Sequence, residues 1–473
     1  MIGRSRTTRG NPAPGPERPR GRAVKSLSAR RSAALLGAFT ALAAYGCTAS
    51  GDEVRPPERD FYFPTGIAMS PGGEALGVVS ANSDLRYDSG TLAAVDVGEV
   101  RALVDEWLGS GEVPPDRDCR RADDPPHAME CSAVEVVPAG ASVRIGNFAS
   151  DVAFQELSSG MARAFVPVRG DPSITYVDFD PETFTLDCGG AGEFSTCGED
   201  HRLQRLQDDG DSDPLPPEPF GIYVDGDGEY VVATHLEGAG LSLVDAPQSG
   251  EPPVLTDVLL GVFQTDGRGL QSTVGVAART PGARNGDIYV TSRSEATLRS
   301  LHIVDAGGRS ELTIGRTFDL QRLAAPSNEA RGIAFSEDGG RAYVVNRAPP
   351  SLQMIDTAPD ARGRPANEPI GSVGLCREGS KVRVADVGRG ERAYVACFAS
   401  GDVWAIDTAR RAVDAVIPVG SGPDGLAVSR EESLLFVSNF LDDSVTVVDL
   451  EEGSNTEHRA VLRLGLGARR NSE

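Results

Sequence analysis

Seven copies of one pattern between residues 60 and 467 constrain this chain more than any other feature. Each copy opens on Gly-Ile-Ala or a near variant. A polar turn follows, then a strand ending near Tyr-Val, a short polar link, and an apolar strand ending in Val-Asp or Ile-Asp. The first copy holds Gly66-Ile67-Ala68, Gly77–Asn82 and Thr91–Asp96; the fifth holds Gly332-Ile333-Ala334, Arg341–Asn346 and Leu352–Asp356. The second is degenerate, with Ser150-Asp151-Val152-Ala153 at its start, and the sixth lacks the first glycine, reading Lys381-Val382-Arg383. Repetition at a fixed period signals units that bury their faces only by stacking on neighbours.

Each segment is short, β-branched and bounded by Gly, Pro, Asp or Ser, so it reads as strand. Gly72-Gly73, Asp338-Gly339 and Arg389-Gly390 read as hairpin turns. Fourth strands are visible at 413–419 and 460–464. A four-stranded meander repeated radially is a propeller blade, so the expected fold class is all-β: a seven-bladed β-propeller. Blades are expected near 60–97, 144–206, 217–262, 272–320, 328–375, 379–420 and 421–465. A strand near Asp60-Phe61-Tyr62 is expected to close the ring by joining a terminal blade, which hides strand edges.

These residues resemble the YVTN-type (YncE-like) β-propeller repeat, whose consensus runs roughly P-x-G-I-A-V-S-P-D-G-x-x-A-Y-V-T-N and then V-x-V-I-D. The match is specific in blades one, three, five and seven and weaker in the other three. The resemblance implies an extracytoplasmic propeller, in a family whose activities are mostly unassigned. Fold alone supplies no function.

The ends of the chain carry an address. Residues 1–46 hold nine basic residues and one acid, Glu17, while the remainder holds 37 basic and 68 acidic residues. Arg30 and Arg31 precede an apolar run over 33–44, the layout of a cleaved export signal. That run is too short for a membrane span of about 20 residues. It ends at Ala44-Tyr45-Gly46-Cys47, which resembles a bacterial lipobox, although Ala44 stands where Leu is usual and Tyr45 is bulky. The resemblance implies lipidation of Cys47 and an anchor in the cell envelope facing the periplasm or the surface; a flexible tether over 47–59 and a disordered tail over 468–473 are expected beside it. The other six cysteines fall into sequence-local pairs, Cys119/Cys131, Cys188/Cys197 and Cys376/Cys397, inferred from proximity alone among 15 possible connectivities. The first two pairs stand in Pro/Gly/Asp-rich stretches that read as loops. Disulfides agree with an oxidising compartment.

Two insertions interrupt the repeat, near 98–143 and 182–216. The first carries Val100, Leu103, Val104, Trp107 and Leu108 at helical spacing. The second carries an acidic run over 208–213. Long loops on a rigid scaffold tend to carry function, so either insertion is a place for a ligand or partner, against the plainer reading that the helix packs on the propeller.

Catalytic motifs are scarce. No H-E-x-x-H, G-x-S-x-G or P-loop pattern occurs, and no C-x-x-C-H suggests covalent haem. The acidic body excludes nucleic-acid binding. Asp225-Gly226-Asp227-Gly228 reads as a hairpin rather than a calcium loop, and His302 as a structural strand residue. Residues flanking the strands on one face, His235, Arg293, Arg331, Arg347 and Asp424, are the candidate ligand-binding set, because a channel mouth is the natural site and arginines suit an anion. Asn346, Asn439 and Phe440 flank the same face, with turn capping the plainer role for the asparagines. Three readings follow. The first is a non-enzymatic, membrane-anchored monomer that binds an unidentified protein or small molecule, with no cofactor, no metal and no catalytic residue. The second is a lactonase-like propeller hydrolase. The third is a quinoprotein-like electron-transfer accessory protein.

Overall fold

In the computed structural model the described residues are 54–465, apart from 207–212, 264–271, 280–287, 296, 321–327 and 389. The expected export signal, Cys47 and most of the acidic run over 208–213 therefore lie outside the described residues. Seven sheets follow one another in chain order, each a meander of at least four antiparallel strands. Their inner strands touch in sequence around a closed ring, and blade seven meets blade one. The fold is a seven-bladed β-propeller with few helices.

The glycine of the repeat has a structural cause. In blades one, three, five, six and seven the inner strand bulges at the two residues that include the repeat's glycine position, for example Arg331-Gly332 and Asp424-Gly425. A bulge leaves its residues unpaired in the ladder and re-aims their side chains. Here the bulge also lies against the next blade. A Cβ on Gly275 would stand 2.3 Å from the Arg331 carbonyl oxygen, and one on Gly425 would stand 2.3 Å from that of Thr65. Only glycine fits such an approach.

A hydroxyl on the neighbouring strand satisfies the N–H of the repeat's glycine, at bulges and also in blade four, whose paired residues show no register shift. Thr291 Oγ1 accepts from Gly275 N at 2.8 Å and donates to the Arg331 carbonyl of the next blade at 2.6 Å. Thr234 does the same between Gly221 N and the Val274 carbonyl. Ser438 joins Gly425 N to the Thr65 carbonyl across the seam between the last blade and the first. These hydroxyls belong to the second segment of the repeat, so one small polar residue there holds two blades together.

Closure departs from expectation. The N-terminal segment adds no strand; Phe63 N donates to the Asp443 carboxylate of blade seven at 2.7 Å. The first insertion closes the ring instead. It runs between the third and fourth strands of blade one, so Ser142–Ile145 is blade one's outer strand, paired with Gly90–Asp96. The expected boundary at 144 thus cuts through that strand. Within the insertion, Cys119–Arg121 and Met129–Cys131 form a hairpin that extends blade seven to six strands. Met129–Cys131 lies parallel to Arg459–Leu464, with Leu462 beside Met129 and Leu464 beside Cys131. Arg463 reaches Glu130 at 3.0 Å and the Val419 carbonyl at 2.8 Å.

Helix α1, Val97–Ser110, is capped by Asp96, whose carboxylate accepts from Glu99 N. It buries Val97, Val100, Leu103, Val104 and Trp107 against blades one and seven. Leu108, counted in the apolar stripe, is 39% exposed, so the stripe ends at Trp107, whose Nε1 donates to the His127 carbonyl. Arg101 ties the helix to Glu432 of blade seven.

The three sequence-local cysteine pairs are all at bonding distance, Cys119 with Cys131, Cys188 with Cys197 and Cys376 with Cys397. The loop reading of their surroundings holds for Cys188 and Cys197, which lie outside strands, but not for Cys119 and Cys131. Cys119 and Cys131 are direct partners across the clasp hairpin. Cys188 and Cys197 are buried, packed with Val79, Val143 and Val168 between blades one and two. Cys197 N donates to the Arg144 carbonyl at 3.0 Å, so this pair fastens the second insertion to blade one's outer strand. Cys397 is fully buried at the end of strand Arg392–Cys397 of blade six, and it draws in Cys376 from the connection after blade five. Each disulfide therefore sits in or against a sheet, and none of the six sulfurs is an open loop thiol. Burial follows from sulfur's apolar character once its polar S–H is gone.

Asp225 serves as the hairpin residue expected: its carboxylate accepts from Glu229 N and Tyr230 N. Among the described residues no helix is long and apolar enough to cross a membrane.

Three stability outcomes follow. Thr291→Val leaves Gly275 N–H and the Arg331 carbonyl unpaired, and urea unfolding should show a loss of about 1–3 kcal/mol. Replacing Cys119 and Cys131 by Ser opens a loop whose ends are 12 residues apart, and should cost about 3 kcal/mol. Burial pushes the Asp60 carboxyl up from 3.8 to about 6. A raised folded value means the group favours the fold fully below pH 3.8 and loses that contribution as pH rises through about 6. Asp60→Asn should therefore stabilise by about 2 kcal/mol at pH 7.5, and the difference should vanish near pH 3.5.

Candidate functional site

The residue positions that bulge at the ring axis also line its channel. Ahead of the glycine position stand Thr65, Ser150, Phe220, Val274, Arg331, Ser380 and Asp424 in blades one to seven. At the glycine position, blades two and six alone carry side chains with charge, Asp151 and Lys381. These two meet across the channel: Lys381 Nζ lies 2.7 Å from Asp151 Oδ1, with both side chains less than a fifth exposed. The two departures from the repeat are thus one ion pair, formed between residues 230 apart in sequence.

Around the pair lies a cavity of about 100 Å³, lined by Phe220, Arg331, Arg347, Arg383 and Asp424 among others. It holds four cations and two carboxylates, inside a chain whose net charge is −23. Burial pushes the Arg331 guanidinium down to about 10, and the neighbouring Arg347 and Arg293 push the same way. It stays charged at neutral pH. Its Nε is buried with no hydrogen-bond partner among the described residues. An unpartnered buried donor is costly, and an anion would supply the missing acceptor. Arg347 is fixed by its Nε donating to the Gly379 carbonyl at 3.0 Å. It lines this cavity, a side pocket with Glu329, Arg377 and Glu378, and the channel mouth.

Asp424 is half-buried and lines both the cavity and the channel mouth. Burial pushes its carboxyl up, and Asp151 adds to that push; Lys381, Arg347 and Arg331 oppose it. Its neutral form can donate a hydrogen bond to a bound anion. The free carboxylate would repel that anion.

The structure therefore places Arg331, Arg347 and Asp424 together, with Arg293 inside the same field. His235 lies apart from them. Its ring is fully buried, with Nε2 at 2.8 Å from Ser242 Oγ and Nδ1 at 3.2 Å from the Pro217 carbonyl. Burial pushes its imidazole down to about 4, so it is neutral at physiological pH. By strand register it matches Asn439 of blade seven, which bonds the corresponding hydroxyl, Thr446 Oγ1, at 2.8 Å. Both residues tie the second strand to the third, a structural role. Asn346 likewise caps its own turn through the Pro349 carbonyl.

Asp151, Lys381 and Arg383 were absent from the sequence-derived set. A signal for two of them existed. Lys381 is one of only two lysines in the chain, and both Asp151 and Lys381 stand where the repeat calls for glycine.

No protein-family model matches the chain, and no curated protein matches it. Solved structures do. A Bacteroides fragilis structure described as a candidate 6-phosphogluconolactonase shares 13% identity at a TM-score of 0.52, covering 83% of this chain and 98% of its own. The Swd1 β-propeller domain of Myceliophteria thermophila shares 10% identity at 0.49, covering 84% and 98%. The Kuenenia stuttgartiensis hydrazine synthase structure shares 14% at 0.48, covering 87% and 100%. Such identities speak for the propeller fold alone.

The ion pair has a direct test. Lys381→Met removes the partner of a partly buried carboxylate and should destabilise by about 1–3 kcal/mol in urea unfolding. A double-mutant cycle with Asp151→Asn should return a coupling of about 1–2 kcal/mol. Zero coupling would mean that the contact adds nothing.

Proposed function

We propose that this protein is an exported, envelope-anchored, non-enzymatic binding propeller whose channel takes a small anion. The observation that carries this reading is the excess of cations at the axis, with the Arg331 Nε buried and unpartnered among the described residues, in a strongly acidic chain. An acidic exterior repels anions in general, so a cationic centre of this kind selects for a ligand that fits the channel. Kinship with YVTN-type lipoprotein propellers rests on the repeat. The signal-like N-terminus and the lipobox-like Cys47 support anchorage, and three disulfides suit an oxidising compartment.

The hydrolase reading shares the anionic ligand, and the Bacteroides fragilis structure lends it a fold parallel. It also needs a base free to act. Of the two cavity carboxylates, Asp151 is engaged by Lys381, and His235 lies elsewhere. Only Asp424 remains, so binding is the better-supported function.

Thermal unfolding with phosphate, acetate or glucose at constant ionic strength tests the proposal. Saturating the site at about a hundred times its dissociation constant should add about 2.7 kcal/mol. For a domain of this size that raises the melting temperature by about 3 °C. The anions should produce the shift, glucose should not, and Arg331→Gln should abolish it. A shift with glucose alone, or lactone hydrolysis lost in Asp424→Asn, would displace the proposal.

A further inference from the structure

Beside the cationic cavity lies a mouth of about 320 Å³ that shares Phe220, Arg347 and Asp424 with it. Four phenylalanines line this mouth: Phe148, Phe220, Phe398 and Phe440. All are half-buried, so each presents ring surface to the opening. They come from the connections and inner strands of four different blades, so their convergence is a property of the ring. Phe440 is held from behind, with its ring centroid 5.2 Å from Phe63 and 6.1 Å from Phe398. Phe148 sits in a left-handed backbone conformation, φ 59°, which a bulky residue rarely adopts. Two backbone hydrogen bonds hold it there, Phe148 N to Ala81 O and Arg169 N to Phe148 O.

The rim sets four phenylalanines beside four charged side chains, Arg169, Arg347, Glu378 and Asp424, and Arg169 is engaged by Glu218. Among the described residues neither Tyr nor Trp lines it, so no ring there carries a donor for a sugar hydroxyl. Two of its hydroxyls are already spent on the fold: Thr65 Oγ1 donates to the Ala149 carbonyl, and Ser150 Oγ donates to the Phe220 carbonyl. A concave apolar mouth over a few convergent charges is the usual form of a small-molecule site. Ring faces favour an aromatic body through offset and edge contacts. Paired guanidiniums favour a planar carboxylate.

We infer that the ligand is an aromatic carboxylate, its ring held among Phe148, Phe220, Phe398 and Phe440 and its carboxylate directed down the channel to Arg347 and Arg331. This rests on the anion reading above and deepens it.

Isothermal titration of the full chain with three probes separates the two. The probes are 3-phenylpropanoate, propanoate and 3-phenylpropan-1-ol, at low ionic strength. Phenylpropanoate should bind at least tenfold more tightly than propanoate, and the alcohol should bind at least tenfold more weakly than phenylpropanoate. Phe440→Ala and Phe398→Ala should each weaken phenylpropanoate about fivefold or more while leaving propanoate unchanged. Equal affinity for the two acids would overturn the aromatic inference and leave the anion site standing. Binding of the alcohol as tightly as the acid would overturn it too, because the charge would then contribute nothing. Binding of neither acid would overturn both readings.

Discussion

Seven sheets can form a ring only if their inner strands come close enough for each blade to pack against the next. In this protein that approach is set by the bulge at the repeat's glycine and by the hydroxyl beside it. Ladder pairing is given up at two residues in each of five inner strands. Thr234 and Ser438 then satisfy the freed groups of one blade and the carbonyl of the next, and Thr291 makes the same link from blade four to blade five. The same bulges turn the residues ahead of the glycines toward the channel. Ring closure and site construction are consequences of one local backbone feature.

Blades two and six show what happens when the glycine is replaced. Side chains at that position occupy the axis, and in an acidic protein a lone buried charge there would be costly. Asp151 and Lys381 neutralise one another. The remaining cations, Arg331, Arg347 and Arg383, outnumber Asp424 in the same cavity. Aromatic rings then narrow the approach from one side. Repeat architecture supplies the frame, and departures from the repeat supply the chemistry.

The blades were legible in the sequence because each is local: alternating strands and glycine turns lie within about 50 residues. Ring closure was not legible. Arg463 and Glu130, which join the clasp hairpin to blade seven, lie 333 residues apart, and a parallel edge pairing leaves no periodic mark. The cysteine pairs were legible as pairs, but not their setting. Cys197 lies against blade one and Cys397 ends a buried strand, and short spacing in sequence says nothing of either. The site was half visible. Arg331, Arg347 and Asp424 stood at strand ends, where a propeller opens its channel. Asp151 and Lys381 stay hidden in the sequence because a lost glycine looks like decay of a repeat until the two losses are seen facing each other. His235 drew attention as a lone histidine after a strand, but register makes it the counterpart of Asn439. Composition cannot reveal that equivalence.

The central proposal is an anion site at the ring axis built from Arg331 and Arg347. Crystals of the protein soaked in selenate, measured for anomalous scattering at the selenium edge, test it most directly. The account predicts the strongest peak inside the cavity, within hydrogen-bond distance of the Arg331 and Arg347 guanidiniums. Peaks confined to surface arginines, with the channel showing water alone, would contradict it.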